Sequence, residues 1–186
     1  MPVTQITLLP GYDPDTQTRL VDHVTRAVRS VIPAAEAGTT TFIQEVSTYR
    51  RDGRVFQQGN AALPSASDVV RAFLQAMQAR DLAQARTHLH PDFSMVFPGG
   101  HRFSELDEMI AWARPRYQRI AKTFEAFEES WQGDVTVVYC TGTLSGVWPN
   151  GEAFEGIRFV DRFEVRAGLL QRQHVWNDLG EHMRPA

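Results

Sequence analysis

The sequence predicts an α+β protein built from two units, and three observations carry that reading. Residues 1–59 run strand, helix, strand and short hairpin; residues 60–66 have linker composition; residues 67–186 place helices first and a long series of strands afterwards. Helices followed by an antiparallel meander imply a sheet curled over those helices.

Taken in order, Val3 to Leu9 is β-branched at its start, and Pro10-Gly11 ends it as a strand. Asp13 is placed to cap a helix, with Pro14 in the first turn, where its missing N–H costs nothing. Leu20, Val21, Val24, Val28, Val31 and Ile32 then form one apolar stripe, and Pro33 stops the helix. Thr39 to Val46 is a second strand, and Arg54 to Gln57 a short third one behind the Asp52-Gly53 turn. So small a sheet and one helix make a marginal core, which predicts burial against other copies of the same segment, a homo-oligomer.

Asn60 to Ala66 reads as the linker. Ser67 is placed to cap the next helix, with Val69, Val70, Phe73, Leu74 and Met77 on one face, and a shorter helix after Asp81 carries Leu82, Ala85 and Leu89. Phe93 to Phe97 is a strand ended by Pro98-Gly99-Gly100, and Ser104 with Asp107 fits the cap of a third helix that Pro115 interrupts. Strands follow at about Phe124–Gln132, Thr136–Val147, Glu155–Val165 and Leu169–Leu179.

Composition excludes several classes. A formal charge of -3 and a pI near 6.1 give no basic footprint for nucleic acid. No run of 18 apolar residues suggests a membrane span, and the first residues lack a secretory pattern. One cysteine, Cys140, forms no internal disulfide and excludes a multi-thiolate zinc site; a cytoplasmic address is expected. His88 and His90 stand two apart with no third ligand, so neither a metal nor another cofactor is expected, and the partner is a small-molecule substrate.

Pro2-Val3-Thr4-Gln5-Ile6, Gly11 before a helix, Phe42-Ile43-Gln44-Glu45 and Val55-Phe56-Gln57-Gln58-Gly59 resemble the 4-oxalocrotonate tautomerase family. The resemblance implies removal of Met1 and a Pro2 amine acting as general base. An α-amine titrates near ~8, close to the working pH, and suits proton transfer beside a carbonyl. It also implies substrate contacts at Tyr12, Thr40 and Phe56; Arg50, Arg51 and Arg54, in the loop before the hairpin, are either a replacement charge for the substrate or a solvated loop. Tyr12 and Thr40 stand where the family's best-known members carry arginines, which argues against a dicarboxylate substrate.

Val69-Val70-Arg71-Ala72-Phe73, Ala79-Arg80-Asp81-Leu82, His90-Pro91-Asp92-Phe93 and Phe163-Glu164-Val165 resemble the nuclear transport factor 2-like superfamily, with its SnoaL-like polyketide cyclases and ketosteroid isomerases. That implies a cone-shaped α+β barrel with a ligand pocket. Alternation independently puts Ile157, Phe159, Asp161, Phe163 and Val165 on one buried face, with Asp161 as a lone carboxylate. Burial raises the pKa of such an acid and leaves two alternatives: a neutral acid that donates a hydrogen bond, the role that the resemblance implies for this position, or an aspartate satisfied by a neighbouring tyrosine, tryptophan or arginine. Phe97 and Phe73 stand where ketosteroid isomerases carry their base and their tyrosine, so that chemistry is not expected. His174 is the second catalytic candidate of this unit, and Phe97, Tyr139 and Trp176 are assigned to substrate binding. His174, Trp176 and Asp178 share one face of the last strand and Val175, Asn177 and Leu179 the other; the sequence does not decide which points inward.

Three functions fit these residues: keto–enol tautomerisation at Pro2, cyclase or dehydratase chemistry at Asp161 and His174, or a non-catalytic protein that binds a ligand and assembles.

Overall fold

The computed structural model describes residues 1–56 and 62–182, which fall into two compact units, Met1–Ala62 and Leu63–Ala186. The segment Gln57–Gly59, the first residues of the expected linker and the side chain of Phe56 lie outside what is described.

In the first unit β1 (Val3–Leu8) leads to α1 (Pro14–Val31) and β2 (Thr40–Glu45), and β3 (Tyr49–Arg51) forms a hairpin with β4 (Arg54–Phe56). Asp13 caps α1 as expected, accepting from the Thr16 N–H at 2.9 Å. β1 and β2 pair in parallel with Val3 opposite Thr40, as a helical crossover allows. Thr4, Ile6 and Leu8 are half-buried, whereas Val3 and Phe42 are exposed on the other face, and no residue of α1 is fully buried. This is a short strand–helix–strand unit with a thin core.

The second unit runs α2 (Ala66–Ala79), α3 (Leu82–Arg86), β5 (Leu89–Phe97), β6 (His101–Phe103), α4 (Leu106–Ala113), β7 (Arg119–Gln132), β8 (Val135–Val147), β9 (Ala153–Arg166), β10 (Leu169–Asn177) and α5 (Leu179–His182). Six strands form one curved sheet in the order β6-β5-β10-β9-β8-β7, antiparallel except where β5 meets β10. α2 and α4 supply the apolar cover. Phe73 of α2 is 1% exposed and meets Phe93 and Phe163 edge to face at 6.2 and 6.1 Å. Burying such a ring contributes about 2–3 kcal/mol.

Several boundaries differ from expectation for identifiable reasons. α2 begins at Ala66 behind Ser65; Ser67 is drawn away from capping because its N–H and hydroxyl both donate to Glu129 on β7. Leu89 belongs to β5, since Leu170 donates to the carbonyl beside it, at His88, and ties this segment to the sheet. α4 starts behind Glu105 without a side-chain cap, while Asp107 pairs with Arg86.

The largest difference is β7, which starts at Arg119 rather than at Phe124 and so takes Lys122 into the sheet. Its pairing with β8 shifts between Phe124 and Ala126, a bulge at Glu125. Ile120 and Phe124 pack against the core before the bulge, and Phe127 after it. Gly142 and Gly146 of β8 let β7 lie this close: a Cβ would stand 2.0 Å from the Thr123 carbonyl oxygen and 2.1 Å from that of Arg119. No helix is long and apolar enough to cross a membrane among the described residues.

Candidate functional site

The buried face of β9 is the one that alternation predicts, with Ile157, Phe159, Asp161, Phe163 and Val165 all buried. Asp161 lies in a row with Cys140 of β8 and Val175 of β10. It is 0% exposed, but it is not the lone carboxylate expected. Lys122 reaches it from β7, two strands away, and its ammonium donates to Oδ2. Gln173 donates to the same oxygen at 3.4 Å, while Oδ1 has no partner. A buried carboxylate requires such a counter-charge, which the apolar pattern around it did not reveal.

Lys122 and Gln173 also line a cavity of about 350 Å³ between the sheet and helices α2 and α4. That volume suits a small organic ligand. Asp161 itself stands behind this wall. The Lys122 side chain is 24% exposed and its ammonium lies 4.3 Å from the centre of the Phe159 ring, so it presents a charge to a ligand in the cavity. Phe73, Phe97, Trp112 and Phe124 add aromatic surface, with Phe97 and Trp112 meeting at 5.6 Å.

At the other end the lining is polar and more exposed. Arg80 follows α2 as its left-handed C-cap, and Arg116 lies over Trp112 at 4.4 Å. Arg119 opens β7, and Tyr117 stands among them. Burial pushes the Tyr117 phenol up from its ordinary value, against the opposing pull of Arg80 and Arg116. The phenol therefore remains a hydrogen-bond donor at neutral pH.

The other assigned residues of this unit are divided by the sheet. Gln173 and Val175 are buried in the second half of β10, after buried Leu170, which puts His174 and Trp176 on the opposite face. His174 shares a row with Arg162 and Tyr139, and Arg162 hydrogen-bonds Tyr139 and pairs with Glu164 at 2.6 Å. Trp176 is 51% exposed. Asp161 and His174 are thus not brought together, and Tyr139 and Trp176 lie away from the cavity that Phe97 lines. Asp178, beyond the strand's end, pairs with exposed Arg158 at 2.7 Å. The His88 ring lies 3.4 Å from the Gln84 amide, and no set of three or more His, Cys, Asp or Glu side chains among the described residues could hold a metal.

In the first unit the carbonyl of Pro2 accepts from the Thr40 N–H at 3.1 Å, so these two residues meet at one end of the β1–β2 ladder. Tyr12 lies near the other end, its carbonyl accepting from Gln17, whose amide also donates to Glu45. The six-residue strand between them spans about 17 Å. Arg50 is exposed in the β3–β4 hairpin, and Phe56 closes it opposite Tyr49.

The model of the SnoaL-like domain matches residues 70–173, which covers most of α2, the sheet up to mid-β10, and every residue of the Lys122–Asp161–Gln173 cluster. The chain belongs to the SnoaL-like family. Among solved structures, the SnoaL-like unit is similar to an NTF2-like protein of unknown function from Burkholderia pseudomallei, with 24% identity, 62% of this chain and 92% of that one covered, and a TM-score of 0.53. It is also similar to TerC co-crystallised with polyporic acid, with 21% identity, coverage of 62% and 93%, and a TM-score of 0.53. A candidate polyketide cyclase from Xanthomonas campestris gives 18% identity, coverage of 63% and 93%, and a TM-score of 0.51. At these identities the likeness establishes the fold. No curated protein matches the chain.

Proposed function

We propose that the protein is an enzyme of isomerase or cyclase type, moving protons on a small carbonyl compound held in the SnoaL-like cavity. The observation that carries this reading is Asp161, fully buried behind the cavity wall, with one oxygen holding Lys122 and the other unpartnered. A buried polar atom left without a partner calls for an explanation, and beside a cavity a functional role supplies one. Lys122 is the catalytic residue and Asp161 a positioning residue that acts through it.

The chemistry follows from what the lining contains. The Lys122 ammonium donates to a carbonyl oxygen and stabilises the negative charge that develops there as a neighbouring C–H proton leaves. The enolate then takes a proton at another position, or its carbon attacks a second carbonyl whose oxygen is protonated. No Asp, Glu or His side chain lines the cavity among the described residues, so no strong base faces the substrate. The substrate C–H must therefore be acidic already, as between two carbonyls, with water as the proton acceptor. The cyclase description of the Xanthomonas relative is in keeping with such compounds.

The test is deuterium incorporation at the central carbon of 1-phenylbutane-1,3-dione, followed by NMR. Wild type accelerates exchange, and Lys122→Met loses roughly 100-fold or more, as for a removed oxyanion donor. No acceleration by the wild type rejects the reading.

A second reading places tautomerisation at Pro2, and the observation favouring it is the Thr40 hydrogen bond that fixes this residue at the end of the ladder. It requires loss of Met1, read by intact mass, and ketonisation of phenylenolpyruvate that disappears in Pro2→Ala. The exposed Val3 and Phe42 beside a helix with no fully buried residue support self-association of the same unit. Light scattering after size exclusion measures it.

A further inference from the structure

We propose that the ligand of the SnoaL-like cavity is a carboxylate: a flat aromatic or polycyclic acid whose anionic group sits by Arg80 and Arg116 while its carbonyl meets Lys122. The inference rests on the reading of the cavity as the substrate site and adds the charge class of what enters it.

Charge distribution is the first argument. The chain carries 19 basic and 22 acidic side chains, yet Arg80, Arg116, Arg119 and Lys122 all line this one cavity, with no Asp or Glu among the described lining residues. General basicity does not explain such a cluster. Lys122 already has Asp161 as its counter-ion. None of the three arginines has a carboxylate within ion-pair distance among the described residues, so their charge is available to a ligand.

Preorganisation is the second. Arg116 is stacked over Trp112, and the backbone N–H of Arg80 caps α2 on the carbonyls of Ala76 and Met77, which fixes where that side chain departs from the helix. The stacked Arg116 guanidinium keeps its paired N–H donors free to match a carboxylate's two oxygens. Shape is the third. Phe73, Phe97, Trp112 and Phe124 line the same cavity as Lys122, Arg80 and Arg116. The aromatic lining stands between the polar ends, which suits a rigid ring system with a carbonyl at one end and a carboxylate at the other.

The experiment compares binding of 6-acetyl-2-naphthoate and 6-acetyl-2-naphthamide to the full chain by calorimetry at low salt. The acid is expected to bind at least about tenfold tighter, the margin shrinking as salt rises. The double variant Arg80→Gln/Arg116→Gln is expected to bind acid and amide equally, with an unchanged melting temperature as the control for folding. An amide that binds wild type as tightly as the acid, or a double variant that keeps the preference, overturns the inference. If the amide binds as tightly as the acid and Lys122→Met weakens both, the cavity reading stands while the charge class falls. If neither compound binds, both fall.

Discussion

Lys122 and Asp161 are joined across three strands of one sheet, the ammonium reaching from edge strand β7 over β8 to a carboxylate on β9 that no solvent touches. Breaking such a pair on one side leaves an uncompensated charge, which costs more than the pair contributes. Lys122→Met is expected to lower the unfolding free energy by about 3–5 kcal/mol. Lys122→Met/Asp161→Leu, which removes both charges, is expected to recover most of that loss. Urea unfolding of the four proteins measures the cycle, and a double variant no more stable than Lys122→Met would show that the charge pair is not the cause.

His174 gives a pH signature on the outer face of the sheet. Burial, reinforced by Arg162, lowers its pKa from 6.5. The folded state therefore favours the neutral ring, and the unfolded state binds more protons below pH 6.5. The stability it contributes is present above that value and is lost as pH falls toward the folded-state pKa. Melting temperatures at pH 7.5 and 5.5 should differ less in His174→Gln than in wild type. An equal difference would remove His174 as a source of the slope.

Cys140 should be chemically silent. Burial, with Asp161 beside it, pushes its thiol up to about 12, and only the thiolate reacts. Ellman's reagent at pH 8 should label it at the rate of unfolding, without an initial fast phase. Rapid labelling of folded protein would mean that solvent reaches the row containing Asp161.

Gly142 links the backbone to the site. An alanine there puts its Cβ against the Thr123 carbonyl, next to Lys122. Gly142→Ala should cost about 1–3 kcal/mol and lower diketone exchange by moving β7 away from β9. A variant of unchanged stability would show that β7 can shift without strain.

Much of this architecture was legible in the sequence because alternation is a strong signal on a strand with one dry face. Ile157 to Val165 shows it fully, with Asp161 standing out as a polar residue in an apolar row. The last strand was ambiguous, since Gln173 and Asn177 face inward while Trp176 faces solvent, and their polarity inverts the usual pattern. Lys122 was missed for a different reason. Arg119, Lys122 and Glu125 dilute the apolar signal of the first half of β7, and the bulge breaks its period. A lysine before an apparent strand reads as a surface charge, and its partner lies 39 residues further along the chain. His101–Phe103 was too short to produce a period at all.

The bulge at Glu125 also sets how the edge strand can tolerate change. In an uninterrupted strand, the parity that turns Lys122 inward would turn Phe127 and Glu129 outward. The extra residue resets that parity, so the first half of β7 serves the cavity and the second half serves α2. There Phe127 lies under the Arg71 guanidinium at 3.6 Å, and Glu129 accepts from Ser67. One strand thus works in two phases, and a single-residue deletion at Glu125 would force a choice between a cavity without its ammonium and a helix without its tether.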